Sequence, residues 1–195
     1  MRYALIILAA CGGSVPDTRY YALAAPAATT GHGSVDVAVE ALSTEPGYDD
    51  DRIVYRQTPY RLDYYQYHRW SAAPGVILGG YLAQALDATG KFHAVVREPN
   101  DKTPLVIGGR VLALEEVDQS ATRWLGHVVV ELTATDRASG EVVWAQKFDD
   151  SEPLATQSPE GLARAISTAM SRIVDRAAPA ISALPTSRAT VGATP

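Results

Sequence analysis

The chain has 195 residues, a length that suits one domain, and 47% of them are hydrophobic, enough to build a core. Its formal net charge is −5, so we do not expect it to bind nucleic acid or to hold a membrane through a polybasic patch. Cys11 is the single cysteine, which excludes disulfides within the chain and any metal site built from several thiolates.

The first residues are typical of an exported bacterial lipoprotein. Arg2 precedes an apolar run over residues 3–8, and small residues follow, which is the layout of an export signal. Residues 8–11, Leu-Ala-Ala-Cys, resemble the bacterial lipobox, in which a peptidase cuts before a cysteine whose thiol accepts diacylglycerol. We therefore expect residues 1–10 to be a signal peptide and a lipid on Cys11 to anchor the protein to a membrane. The alternative is a buried first strand that ends at the cysteine.

The sequence on both sides of the expected domain is rich in small and turn-forming residues. Residues 11–33 have the composition of a flexible tether, and residues 185–195 are expected to form a disordered tail. The folded domain is predicted over residues 34–184. Gly12 stands where the familiar inner-membrane retention signal has aspartate, so this resemblance implies an outer-membrane lipoprotein that faces the periplasm.

Hydrophobic patterns predict three strands, a helix, four strands and a last helix. The predicted strands cover residues 35–39, 52–56, 61–67, 92–96, 105–116, 128–135 and 142–148. The helices are expected to begin at Pro74 and at Ser158-Pro159, because proline suits the first helical position and serine caps a helix. Two helices packed on one face of a mostly antiparallel sheet give an α+β two-layer sandwich.

Glycine and proline add detail to this prediction. Gly90 is expected to end the first helix, and Pro179 is expected to kink or end the second. Gly108 and Gly109 lie inside a strand that is apolar on both faces at first, so it is predicted to be central. The two glycines indicate a bulge or a close approach of another backbone.

Three stretches carry a family likeness: residues 19–23 (Arg-Tyr-Tyr-Ala-Leu), residues 51–74 including His68-Arg69-Trp70, and residues 78–96. In them the chain resembles the ABC-type transport auxiliary lipoproteins, the lipoprotein partners of mammalian-cell-entry (MCE) type lipid transport systems. The resemblance implies a non-enzymatic subunit that helps to move phospholipids or related lipids between the inner and outer membranes. It implies an MCE-domain protein as partner, with phospholipid as a further ligand, and it is compatible with a homo-oligomer. The sequence has no phosphate-binding loop, so ATP hydrolysis would belong to other subunits.

The candidate functional residues are aromatic. The histidines lack zinc-binding spacing, residues 49–51 lack the spacing of a calcium loop, and there is no Gly-x-Ser-x-Gly elbow, so we expect no catalytic residue, metal or cofactor. Arg69, close to a helix start, is expected to pair with a carboxylate. The candidate contact for a partner protein or a lipid is an aromatic cluster: Tyr55, Tyr60, Tyr64, Tyr65, Tyr67 and Trp70. The alternative is that half of these side chains face the core and the rest belong to an ordinary strand.

Two other classes of function remain open on the sequence. An outer-membrane lipoprotein that activates a cell-wall synthase or assists envelope assembly can also use a small α+β domain. Neighbouring genes for an ATPase, a permease and an MCE protein would favour transport, whereas a penicillin-binding neighbour would favour the alternative. A periplasmic hydrolase would require a pocket with a serine, a histidine and an aspartate within hydrogen-bond reach.

Overall fold

The computed structural model describes residues 15–31 and 33–185, which form one sheet covered by two helices. The strands in this part of the chain are β1 Arg19–Tyr21, β2 Asp36–Val39, β3 Ser43–Thr44, β4 Arg52–Thr58, β5 Arg61–Trp70, β6 Ala94–Val96, β7 Leu105–Ser120, β8 Arg123–Asp136 and β9 Val142–Pro153. The helices are α1 Pro74–Ala88 and α2 Pro159–Ser182, and a 3-10 turn spans Pro46–Tyr48. Within these residues no helix is both long enough and apolar enough to cross a membrane.

The long strand β7 lies at the centre of the sheet. Along one edge it pairs with β8 in an antiparallel ladder that begins with Leu105 opposite Asp136, and β9 continues antiparallel from β8. Along its other edge β7 pairs in parallel with β2, β3 and β4 in turn. β5 forms an antiparallel hairpin with β4, while β1 and β6 add parallel edge strands. The sheet is therefore mixed, with long antiparallel ladders and short parallel pairings.

Both helices pack on one face of the sheet, where they share the main core. Large side chains from both helices and from the sheet are fully buried there, among them Leu78, Leu82, Leu86, Ile107, Leu132, Ile166 and Met170. The other face carries a smaller apolar cluster made of Tyr48, Val54, Ala113 and Val129. β7 is consequently covered on both faces near its middle, as expected of a central strand.

The predicted α+β fold is confirmed, with the sheet mixed in its pairing. Ser158 caps α2 by accepting a hydrogen bond from Gly161 N–H at 3.1 Å, and Gly90 follows the end of α1 with a φ of 63°. Pro179 does not end α2, which continues to Ser182, because a proline in the last turn removes one hydrogen bond while the helix face stays packed on the core.

The glycine pair inside β7 marks a close approach. A Cβ on Gly109, whose φ is 145°, would lie 2.0 Å from the carbonyl oxygen of Glu131 on β8. The register shift of the ladder falls after this point, between Val111 and Ala113. Both features that the glycines indicated are thus present in β7: a close approach of the β8 backbone at Gly109, and a register irregularity a few residues later.

Part of the expected tether is instead a strand of the domain. β1 pairs with β5, and the carbonyl oxygen of Tyr21 accepts a hydrogen bond from Ser71 N–H at 2.8 Å. The side chains of Tyr21 and Leu23 also pack against the main core. The expectation of a flexible tether therefore does not hold at Tyr21 and Leu23. It rested on the composition of residues 11–33 as a whole, which the small residues after Leu23 dominate.

The residues after β1 are attached as well. Ala24 N–H donates to Ser167 Oγ at 3.1 Å, on α2. Thr29 donates to the carbonyl oxygen of Ala88, through its N–H at 2.8 Å and its hydroxyl at 2.7 Å. Such contacts use backbone groups and short side chains, which a tether also has, so composition does not reveal them. The predicted signal peptide, Cys11 and residues 186–195 lie outside the described residues.

Candidate interaction site on the first hairpin

The six aromatic residues predicted as a contact lie on the β4–β5 hairpin, but they face different surroundings. Trp70 is buried in the main core at 1% exposure, whereas Tyr60, at the turn, is 97% exposed. Tyr64 packs against the smaller cluster, and its hydroxyl donates to the carbonyl oxygen of Gly47 at 3.0 Å. The guanidinium of Arg52 lies 4.4 Å from the centre of the Tyr64 ring. The six residues therefore do not form one surface.

Two of the predicted tyrosines join an aromatic group on the helix side of the sheet. The rings of Tyr55 and Tyr65 are 5.0 Å apart, and the Tyr65 ring meets His68 edge-on at 5.6 Å. Tyr21 of β1 completes the group, with its hydroxyl 2.9 Å from His68 Nδ1. Tyr67 is half-buried on the same strand. The aromatic group (Tyr21, Tyr55, Tyr65 and His68) thus joins the N-terminal strand to the hairpin.

The aromatic group rests on an acid pair in β7. The Tyr65 hydroxyl donates to Glu116 Oε1 at 2.7 Å, and Glu116 is fully buried. Burial, together with the neighbouring Asp118 carboxylate, raises the pKa of Glu116 to about 7 despite the Tyr65 hydrogen bond. Burial also raises the pKa of Asp118, which accepts a hydrogen bond from Gln57 Nε2 at 3.4 Å. The carboxyls of Glu116 and Asp118 therefore lose their protons at a higher pH than ordinary solvated carboxyls do.

The opposite face of the sheet holds a polar network around Glu115, which is 3% exposed. Its Oε2 accepts hydrogen bonds from the Tyr48 hydroxyl at 2.7 Å and from Arg56 Nε at 3.1 Å. Its Oε1 lies 3.1 Å from His127 Nδ1, and the other ring nitrogen of that histidine lies 3.1 Å from Asp149 Oδ1. The network ties β4, β7, β8, β9 and the 3-10 turn together.

The titration of this network follows from its contacts. Burial disfavours the charged form of Glu115, but hydrogen bonds from His127, Tyr48 and Arg56 outweigh burial and lower its pKa. The hydrogen bond to Glu115 raises the pKa of His127 against the effect of burial. Burial and the Glu115 carboxylate raise the pKa of Tyr48 to about 12. Glu115 is consequently an ionised centre of a set of compensating charges.

Sequence reasoning missed both acids, although a signal was available. Consecutive residues of a strand point to opposite faces, and β7 is buried on both faces. Glu115 and Glu116 each have to find polar partners there, since an unpaired buried carboxylate is costly. Two adjacent acids in a central apolar strand thus predict one polar contact on each face.

Two residues of the acidic run at residues 49–51, Asp50 and Asp51, form ion pairs. Asp51 pairs with Arg69, which confirms that this arginine pairs with a carboxylate. Asp50 accepts a hydrogen bond from Arg52 N–H at 2.8 Å and pairs with the guanidinium of the same residue at 3.1 Å. In residues 15–31 and 33–185 no group of three or more histidine, cysteine or acidic side chains could hold a metal ion.

These features define a small α+β domain with polar clusters on both faces of the sheet and an exposed hairpin turn. The model of the ABC-type transport auxiliary lipoprotein component family matches residues 21–178, from β1 almost to the end of α2. The chain belongs to this family, as the sequence resemblance implied. The family is described as an auxiliary lipoprotein component of ABC-type transport.

Solved structures show the same fold. Protein XCC0632 from Xanthomonas campestris is 18% identical, with a TM-score of 0.71 over 82% of this chain and 92% of its own. An uncharacterised protein is 12% identical, with a TM-score of 0.70 over 85% of this chain and 99% of its own. No curated protein matches the chain.

Proposed function

We propose that the protein is a non-enzymatic, membrane-anchored subunit of an MCE-type ABC transporter that moves phospholipids or related lipids between the inner and outer membranes. The observation that supports this most strongly is the family match over residues 21–178, which includes nearly the whole folded domain. An auxiliary lipoprotein of an ABC-type system leaves ATP hydrolysis and membrane passage to other subunits. Its own contribution is then to bind a partner or a lipid close to a membrane.

The proposal places the lipid on Cys11 and the domain at the periplasmic face of the outer membrane. The MCE-domain protein is the proposed partner, and a phospholipid is the proposed ligand. Tyrosine combines an apolar ring with a polar hydroxyl, which suits contact with either one. The exposed turn and the half-buried aromatic group of the first hairpin are compatible with such a role.

Co-purification tests the proposal. The full chain with a C-terminal tag is expressed in its own organism, extracted in mild detergent and recovered through the tag. We expect an MCE protein, with its permease and ATPase, to be enriched over a control with an equally tagged, unrelated outer-membrane lipoprotein. Recovery of a cell-wall synthase in their place, or equal recovery from the control, would contradict the proposal.

A further inference from the structure

The direction of β1 shows from which side the chain enters the domain. β1 runs parallel to β5, with Arg19 beside His68. Moving back from Arg19 toward the N-terminus therefore leads along β5 toward its first residue, Arg61. That residue follows the turn of the first hairpin, so the chain enters the sheet from the side of this turn.

The distance that the chain can cover is short. Cys11 precedes Arg19 by eight positions, and eight extended residues span at most about 26–29 Å. From His68 back to Arg61, β5 covers seven positions, or about 23 Å at roughly 3.3 Å per residue. A lipid on Cys11 can thus lie level with the hairpin turn. To reach the opposite end of the sheet, the chain would have to reverse its direction.

A second turn lies at the same end of the sheet. β4 pairs with β7 so that Arg56 is beside Val117, which brings the end of β4 next to the turn between β7 and β8. A cavity of about 270 Å³ beside the two turns is lined by Gln57 of β4 and by residues of β7, β8 and the turn between them: Asp118, Ser120, Ala121 and Trp124. The two turns, residues 58–61 and 120–123, together form what we call the tip surface.

The tip surface carries side chains that suit the water–lipid boundary. Tyr60 is 97% exposed. Tyrosine is favoured at the level of phospholipid headgroups, because its apolar ring can contact lipid while its hydroxyl stays in contact with water. Arg123 is also exposed and can approach lipid phosphates. In an aqueous setting, by contrast, such a projecting aromatic ring would bring no gain from burial.

We infer that the tip surface lies against the phospholipid headgroups of the membrane that holds Cys11, with the Tyr60 ring inside the headgroup layer. The inference rests on the anchoring through Cys11 in the proposed function. It leaves the opposite end of the sheet, with the turn at residues 137–141, directed away from that membrane. A partner protein would then approach the domain from that end.

Depth measurements with spin labels test this orientation. The variants Tyr60→Cys and Ser139→Cys are purified from membranes and labelled with a nitroxide; the lipid blocks the thiol of Cys11, so the label reaches only the new cysteine. The proteins are reconstituted in vesicles of phosphatidylethanolamine and phosphatidylglycerol. We expect the label at position 60 to be several-fold less accessible to a water-soluble nickel reagent than the label at position 139. Equal melting temperatures of the two variants serve as the folding control.

Three results would overturn the inference. Equal accessibility at positions 60 and 139, with the lipid on Cys11 verified by mass spectrometry, would separate the tip surface from the membrane. Protection of position 60 only after the MCE protein is added would assign this surface to a protein. Absence of the lipid would remove both the anchor and the orientation, whereas the transporter role is decided separately by co-purification.

Discussion

Adjacent side chains of β7 experience opposite electrostatic environments. Glu115 is surrounded by donors and stays ionised, whereas Glu116 meets one donor among the described residues, Tyr65, and a second acid, Asp118. The difference arises because a strand directs successive side chains to opposite faces of the sheet. Each acid therefore affects stability in a different pH range.

Replacement of Glu116 should stabilise the protein in alkaline solution. Its pKa in the folded state, about 7, lies above the ordinary value of 4.5. Between these values the folded state binds more protons than the unfolded state, so stability falls as the pH rises through this range. Glu116→Gln cannot ionise and still accepts the Tyr65 hydrogen bond. We expect it to raise the free energy of unfolding by about 1–2 kcal/mol at pH 8 and hardly at all at pH 4.

Urea denaturation at both pH values measures this difference. Glu141→Gln is the matched control, because that carboxylate is exposed in the turn between β8 and β9, and it should change stability little at either pH. A Glu116→Gln variant with the same stability gain at pH 4 and pH 8 would show that titration is not the cause.

Replacement of Glu115 should lower the free energy of unfolding, which is the opposite of the effect expected for Glu116. Its lowered pKa means that its contribution is present above pH 4.5 and is lost as the pH falls through its folded-state pKa. His127, whose pKa is raised, makes a second contribution to stability. This contribution is complete below pH 6.5 and is lost as the pH rises through the folded-state pKa of His127. At pH 6 we expect Glu115→Gln to cost about 2–3 kcal/mol, because Arg56 and His127 lose a charged partner.

The matched control for this variant is Glu131→Gln, an exposed position on β8. Urea denaturation of both variants at pH 6 and pH 8 should show the larger difference at pH 6. Equal losses from the two variants would mean that the network adds nothing beyond ordinary surface charge.

At the scale of elements, the helix α1 lies unusually close to the chain between β2 and β3. A Cβ on Gly75 would lie 1.9 Å from the carbonyl oxygen of Leu42 and 2.8 Å from Thr44 Oγ1. By contrast, a Cβ on Gly80 would have Arg97 Nη1, at 3.8 Å, as its nearest neighbour among the described residues outside the helix's own backbone. The two glycines belong to one helix but differ in packing: Gly75 has no room for a methyl group, whereas Gly80 has.

This difference predicts opposite effects of one substitution. Gly80→Ala should stabilise the protein by up to about 1 kcal/mol, since alanine favours the helix over glycine. Gly75→Ala should destabilise it by about 1–3 kcal/mol, because backbone must move away from the new methyl group. Thermal unfolding of the two variants decides the matter, and a stabilised Gly75→Ala protein would contradict the packing described for α1.

The elements differ in how far the sequence predicts them. The strands of the β8–β9 hairpin and the two helices follow from alternation, helical periodicity and capping by Ser158. β1 does not, since three residues carry no clear period and their pairing partner, β5, is distant in the chain. The candidate aromatic residues lie on the predicted hairpin. Their division between core and surface was an alternative already open on the sequence. Which side chains fall on each face could not be foreseen, because the register shifts within the hairpin change which side chains share a face.

For the whole molecule, anchoring is the property that a single substitution can test. Cys11→Ser removes the thiol that would accept the lipid. We expect the domain to be released into the periplasm, or the precursor to stay uncut, with loss of mature protein from salt-washed membranes. Immunoblots of the periplasmic and membrane fractions measure this outcome, with Ser14→Ala as a neighbouring control that should remain membrane-bound. A Cys11→Ser protein that stays in washed membranes at its mature size would show that the anchor lies elsewhere.

The attachment of Ala24 to Ser167 has a consequence for the order of folding. Residue 24 and its partner Ser167 on α2 are 143 positions apart in the chain, so their hydrogen bond closes a very long loop. Closing such a loop costs chain entropy, which slows the formation of contacts of this kind. The bond also needs α2 in place on the sheet. The N-terminal segment is thereby held to the domain twice, at β1 and again at α2.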